Sequence, residues 1–143
     1  MIDDKSLYLN AIKKDYGIPK TEGVKGINVT SGAVDVSKTL IGTSGLGPCN
    51  GLVIYDGVEK IAAVAHVVPT EKDPQSLVEH MISRIGTQNE YQGVIVQSLA
   101  ADGDLSERLE MALMTNPRIV SHYKHILLKG LEFYFDPQTG RFI

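Results

Sequence analysis

Two apolar runs joined by Asp56-Gly57 constrain this chain more than any other feature. Residues 51–55 and 60–68 carry mostly Val, Ile, Leu and Ala, so both faces of each run are apolar. A strand with one wet face alternates apolar and polar residues; a strand apolar on both faces is covered on both. Asp-Gly between two such runs is a strong hairpin signal. The pair predicts a hairpin at the centre of a sheet with a packed layer on each side. A chain of 143 residues, read as one domain over residues 1–143, is long enough to supply those layers.

The flanking segments read as alternating strands and helices. Residues 3–15 read as a short leading helix, with Leu7, Tyr8, Ala11 and Ile12 on one face and Gly17 at its stop. A loop over residues 18–26 follows, then short strands at 27–29, 33–36 and 39–43. After the hairpin, Asp73 is placed as an N-cap, Pro74 at the first helical position and Gly86 as the stop. Leu77, Val78, Met81, Ile82 and Ile85 form that helix's apolar face. Residues 93–99 read as a buried strand. Asp104 and Glu107 resemble a capping box opening a second helix, whose Leu105, Leu109, Ala112 and Leu113 share a face. Strands are expected at 119–128 and 131–135, then a turn over 136–140 and a short final strand.

Composition narrows the class. With 43% hydrophobic and 22% charged residues the chain is ordinarily globular. No stretch approaches the ~20 apolar residues of a membrane span, so no membrane insertion is expected. Ile2-Asp3-Asp4-Lys5 is too polar to begin a signal peptide. A net charge of −3 without a long basic run argues against nucleic acid as a partner. The single cysteine can form no internal disulfide, which fits a reducing, cytoplasmic setting.

That cysteine sits where chemistry is plausible. It follows a glycine-rich turn, Gly42-Thr43-Ser44-Gly45-Leu46-Gly47-Pro48-Cys49. The glycine spacing is not that of a dinucleotide fingerprint, and no Gly-Lys-Ser/Thr follows as in a phosphate loop. If the hairpin loop is 56–59 or 57–58, Tyr55 faces Lys60, Val53 faces Ala62, Gly51 faces Val64 and Cys49 faces His66. Directly opposed side chains have Cβ atoms roughly 4.5–5.5 Å apart, close enough for a thiol–imidazole contact. Histidine beside a thiol favours the nucleophilic thiolate and can later protonate a departing amine. Because Pro48 has no N–H, the expected oxyanion donor is the N–H of Cys49 or Asn50. Taken singly, Cys49 is more often a small buried hydrophobe and His66 more often a partly buried polar residue than a catalytic group; their convergence across the hairpin is what balances the two readings. Thr43 alone is an ordinary β-branched strand residue. His122 and His125 make a poor metal pair, since their offset puts them on opposite faces of a strand. His80 flanks its helix's apolar face and reads as structural. No metal or other cofactor is called for.

The run TSGLGPCNGLVIYDGVEKIAAVAHVVP, residues 43–69, resembles the signature of CheD, the chemoreceptor glutamine deamidase family. That family has a threonine, a glycine turn ending in cysteine, a hydrophobic strand with a charged turn, and a second strand ending in a histidine motif. Thr43, Cys49 and His66 occupy the positions of the family's catalytic threonine, cysteine and histidine. A related site occurs in cytotoxic-necrotizing-factor-type toxins. The resemblance is closest over residues 39–69. Pro48 replaces the usual serine, residues 97–104 depart from the family's glycine pair, Lys129-Gly130 is all that stands for a longer Gly- and Arg-rich stretch, and the leading helix is additional. The resemblance implies an α/β fold, a four-layer α/β/β/α sandwich with two packed sheets and outer helices. It also implies a hydrolase that converts glutamine side chains of a protein to glutamate, with Thr43 orienting His66. By family resemblance the partner is a chemoreceptor or a chemotaxis phosphatase. The alternative reading is a non-catalytic protein-binding module of the same fold. Another acyl chemistry, peptidase or transglutaminase, is the third.

Overall fold

A computed structural model describes residues 26–143. The helix expected at residues 3–15 and most of the loop after it lie outside the described residues. The elements run β1 (Ile27–Asn28), β2 (Val34–Ser37), β3 (Ile41–Thr43), β4 (Asn50–Asp56), β5 (Ile61–Val67), α1 (Pro74–Ile85), β6 (Tyr91–Ser98), α2 (Gly103–Thr115), β7 (Ile119–Leu127), β8 (Phe133–Asp136) and β9 (Arg141–Phe142).

They form two sheets, a five-stranded one in the order β2-β5-β4-β6-β7 and a four-stranded one in the order β1-β3-β8-β9. The β4–β5 hairpin is central, as its two apolar faces require, and every residue of β4 is buried. Alternate residues of β4 serve different layers. Val53 and Tyr55 join Ile41, Phe133 and Phe135 in a core between the sheets. Leu52 and Ile54 join Val78, Met81, Leu105 and Leu109 in a second core beneath the helices. Each fully buried Val, Leu or Ile contributes roughly 1.5–3 kcal/mol, so both cores contribute substantially to holding the layers together. The expected pair of packed sheets with outer helices is therefore present. Among the described residues, both helices cover the same outer face, that of the five-stranded sheet.

Local chemistry explains the helix ends. Asp73 accepts the Ser76 N–H at the start of α1, Pro74 needs no partner there, and Gly86 closes the helix at φ 76° with its N–H on the Ile82 carbonyl. For α2 the expected cap is corrected. Asp102, not Asp104, is the N-cap, and its carboxylate accepts the Leu105 N–H. Asp104 lies in the first turn, where its charge complements the helix dipole. β6 and β7 are parallel, so the chain must cross over between them, and α2 makes that crossing.

The hairpin register is also corrected. Asp56 pairs with Ile61 and Gly51 with His66, so residues 57–60 form the loop and Cys49 does not face His66. The cause is the Asp56 side chain, which accepts the N–H groups of Val58 and Glu59 and winds the turn just beyond itself. Lys60, expected to begin β5, instead ends the loop at φ 55°.

Candidate active site

The site lies where one sheet hands the chain to the other. Thr43 is the last residue of β3 in the four-stranded sheet, and Cys49 stands one residue before β4 in the five-stranded sheet. Between them the chain turns over residues 44–49. His66 is the penultimate residue of β5. Its side chain projects between the sheets, because it pairs with Gly51 and alternates in step with Val64 of the inter-sheet core. A Cβ on Gly51 would clash with the edge of the Phe133 ring, so glycine is what lets the two sheets approach beside His66.

Thr43 and His66 meet across this gap. Thr43 Oγ1 lies 2.8 Å from His66 Nδ1 and 2.5 Å from the carbonyl oxygen of Val29. The hydroxyl has one proton, and a carbonyl can only accept. Thr43 therefore donates to Val29, and His66 donates its Nδ1–H to Thr43. This network assigns the tautomer and leaves the Nε2 lone pair available. His66 is only 4% exposed. Burial depresses its pKa below the ordinary histidine value, which favours the neutral form that a general base requires.

Cys49 is half-buried and packs against the inter-sheet core. Because the register correction is two residues, the parity of the strands is unchanged. Cys49 lies one residue outside the ladder; extending the β4 alternation to it places it on the face of His66 as a diagonal neighbour, in agreement with its packing on the inter-sheet core, and diagonal neighbours of a regular ladder lie roughly 7–8 Å apart. No hydrogen bond joins the thiol to His66 among the described residues, and burial pushes the thiol's pKa up. The resting pair is therefore a neutral thiol and a neutral imidazole, not the thiolate-favouring pair expected from sequence.

The turn before Cys49 is held on three sides. The Cys49 N–H bonds the Leu46 carbonyl at 2.6 Å, and the Asp102 N–H bonds the Pro48 carbonyl at 2.9 Å. Ser98 Oγ donates to the Gly47 carbonyl at 3.0 Å. The Leu46 N–H reaches Leu131 before β8, and Asn50 Nδ2 reaches the Asp102 carbonyl. The Cys49 N–H, expected as an oxyanion donor, is thus already engaged. The N–H groups of Gly45 and Gly47 make no hydrogen bond within the described residues.

Sequence reasoning missed Ser98 and Asp102. Both are brought to Cys49 by the pairing of β4 with β6, which no local pattern announces. The other histidines lie elsewhere. His122 faces Glu110 of α2 at 3.8 Å, while His125 stacks on Phe142, so they do occupy opposite faces. His80 is exposed on α1. A cleft of about 990 Å³ opens at the far end of β4, between Tyr55, Lys60, Tyr91 and Gln138, and none of Thr43, Cys49 or His66 lines it. No helix among the described residues is long and apolar enough to cross a membrane. No protein-family model matches the chain, and no curated protein matches it.

Proposed function

We propose that the chain is a cytoplasmic cysteine hydrolase that deamidates glutamine side chains of a protein substrate. The observation that carries this reading is the buried Thr43–His66 hydrogen bond at 2.8 Å, which orients an imidazole on the same face as the only cysteine. A hydroxyl that fixes a base beside a thiol is the third-group arrangement of nucleophilic hydrolases. The CheD-like motif over residues 43–69 supports the same three residues. It points to a chemoreceptor as the first substrate to test and, by resemblance, to a chemotaxis phosphatase as the other partner.

In this reading Cys49 is the nucleophile. His66 Nε2 takes the thiol proton as Sγ bonds to the carboxamide carbon. The oxyanion is met by the uncommitted N–H groups of the turn. His66 then returns the proton to the departing nitrogen, ammonia leaves, and a thioester remains on Cys49. Water gives a proton to His66 and attacks the thioester. The C–S bond breaks, the thiol is restored and the product is glutamate. Proton transfer at the moment of attack suits a thiol and imidazole that are both neutral at rest.

The test is to incubate wild type and Cys49→Ala with chemoreceptor cytoplasmic domains and other signalling proteins, then map products by peptide mass spectrometry. Glutamine-to-glutamate conversion that requires Cys49 supports the proposal. Cut peptide bonds would indicate a peptidase, and incorporation of an added primary amine a transglutaminase. Stable binding of a partner without ammonia release would leave a protein-binding module.

A further inference from the structure

Three successive carbonyls of the turn before Cys49 are tied down, and one tie alone is made by a side chain. Leu46 is held by the Cys49 N–H and Pro48 by the Asp102 N–H, whereas Gly47 is held by the hydroxyl of Ser98. The Gly47–Pro48 peptide is the weak point of the turn. Proline carries no N–H, so the Gly47 carbonyl is that peptide's sole hydrogen-bonding atom. Gly47 itself sits at φ 47°, with the conformational freedom of a residue lacking Cβ. Ser98 is 3% exposed, and its oxygen is fixed in turn by the Ala100 N–H at 3.1 Å. Extending the β4–β6 pairing one step beyond Asn50 and Gln97 sets Ser98 opposite Cys49.

We infer that Ser98 is a positioning residue for Cys49: its hydroxyl holds the Gly47 carbonyl away from the thiol and keeps the turn in the form a nucleophile needs. This inference rests on Cys49 acting as that nucleophile. Without the hydroxyl, the Gly47 carbonyl loses its hydrogen bond, and because the Pro48 ring fixes its own φ, the Gly47–Pro48 unit shifts through the soft dihedrals of Gly47. A carbonyl oxygen swung towards the sulfur opposes the negative charge that develops there, and it also opposes the oxyanion formed on attack.

The experiment compares Ser98→Val with Ser98→Thr in the full chain. The two replacements have the same shape and differ in the hydroxyl, so any crowding at this buried position is common to both. The readout is the rate of Cys49 alkylation by iodoacetamide as a function of pH, with deamidation followed in parallel. Ser98→Val is expected to slow alkylation at neutral pH by about tenfold, equivalent to a one-unit rise in the thiol's titration midpoint. Ser98→Thr is expected to restore the rate. Equal rates in the two variants, whether slowed or unchanged, would overturn the inference. Absence of deamidation by the wild type would remove the functional reading, while the alkylation contrast would still decide whether Ser98 governs the thiol.

Discussion

Thr43 serves two partners with one proton, and that is the most consequential detail at the scale of single residues. Thr43→Val keeps the shape and removes both bonds, leaving the Val29 carbonyl and His66 Nδ1–H unpaired in a buried place. The cost to stability is about 1–3 kcal/mol, readable by urea denaturation. Deamidation should fall by roughly 10- to 100-fold because the base loses its orientation and tautomer. A variant that loses stability but keeps full turnover would reduce Thr43 to a structural residue. The pH dependence follows from two opposite shifts, both caused by burial. His66 must be neutral to act, so the acid limb of kcat/KM should have its midpoint below the ordinary histidine value of 6.5. The resting thiol should alkylate with a midpoint above the ordinary 9.0. An acid limb above the ordinary histidine value would contradict the neutral base. Thr43, Cys49 and His66 were legible in the sequence because they stand in one continuous motif. Ser98 was not, because its place opposite Cys49 depends on the pairing of strands separated by a helix.

At the scale of elements, strand identity was easier to read than strand register. The apolar runs and Asp56-Gly57 announce a hairpin, but the exact turn depends on where one carboxylate sends its hydrogen bonds. Asp56 is fully buried and accepts from Val58 N–H, Glu59 N–H, Thr87 Oγ1 and Asn89 Nδ2. It thereby joins the hairpin loop to the segment after α1. The two-residue correction left Cys49 and His66 on one face only because it was even; a slip of one would have turned His66 towards the helices. Asp56→Ala should destabilise the fold by about 2–4 kcal/mol, since it removes all four hydrogen bonds that this buried carboxylate accepts. The effect should depend on pH. Burial acts to raise the Asp56 pKa, yet the four hydrogen bonds outweigh it and hold the group below its ordinary 3.8. A carboxylate with a depressed folded pKa contributes stability above its unfolded value and loses it as pH falls through the folded one. The gap between wild type and Asp56→Ala should therefore narrow below about pH 4. A gap that stayed constant into strong acid would mean the carboxylate's charge contributes nothing.

At the scale of the whole molecule, the site belongs to neither sheet. Thr43 comes from the four-stranded sheet, His66 from the five-stranded one, and Cys49 from the turn that leads into β4. The distance between the sheets is thus part of the site's geometry, and no sequence period encodes that distance. Two glycines on the five-stranded sheet allow it to be tested. A Cβ on Gly51 would press on the edge of the Phe133 ring, and so on the four-stranded sheet. A Cβ on Gly93 would meet Leu113 Cδ2 at 2.7 Å and press on α2 instead. Overpacking costs about 1–3 kcal/mol, and Gly93→Ala, which meets the flexible end of a leucine, should lose less stability than Gly51→Ala, which meets a ring. Their effects on chemistry should diverge. Gly51→Ala separates the sheets beside His66 and lengthens the Thr43–His66 hydrogen bond, so turnover should fall further than stability explains, and the His66 Nδ1–H proton signal in NMR should shift or broaden. In Gly93→Ala the strain falls on the flexible end of a leucine on the helix side, and that proton signal and kcat should stay close to wild type. If the two variants lose activity in proportion to stability alone, the spacing of the sheets does not set the site. If Gly51→Ala alone disturbs His66, the packing of the core is itself a determinant of the imidazole's position.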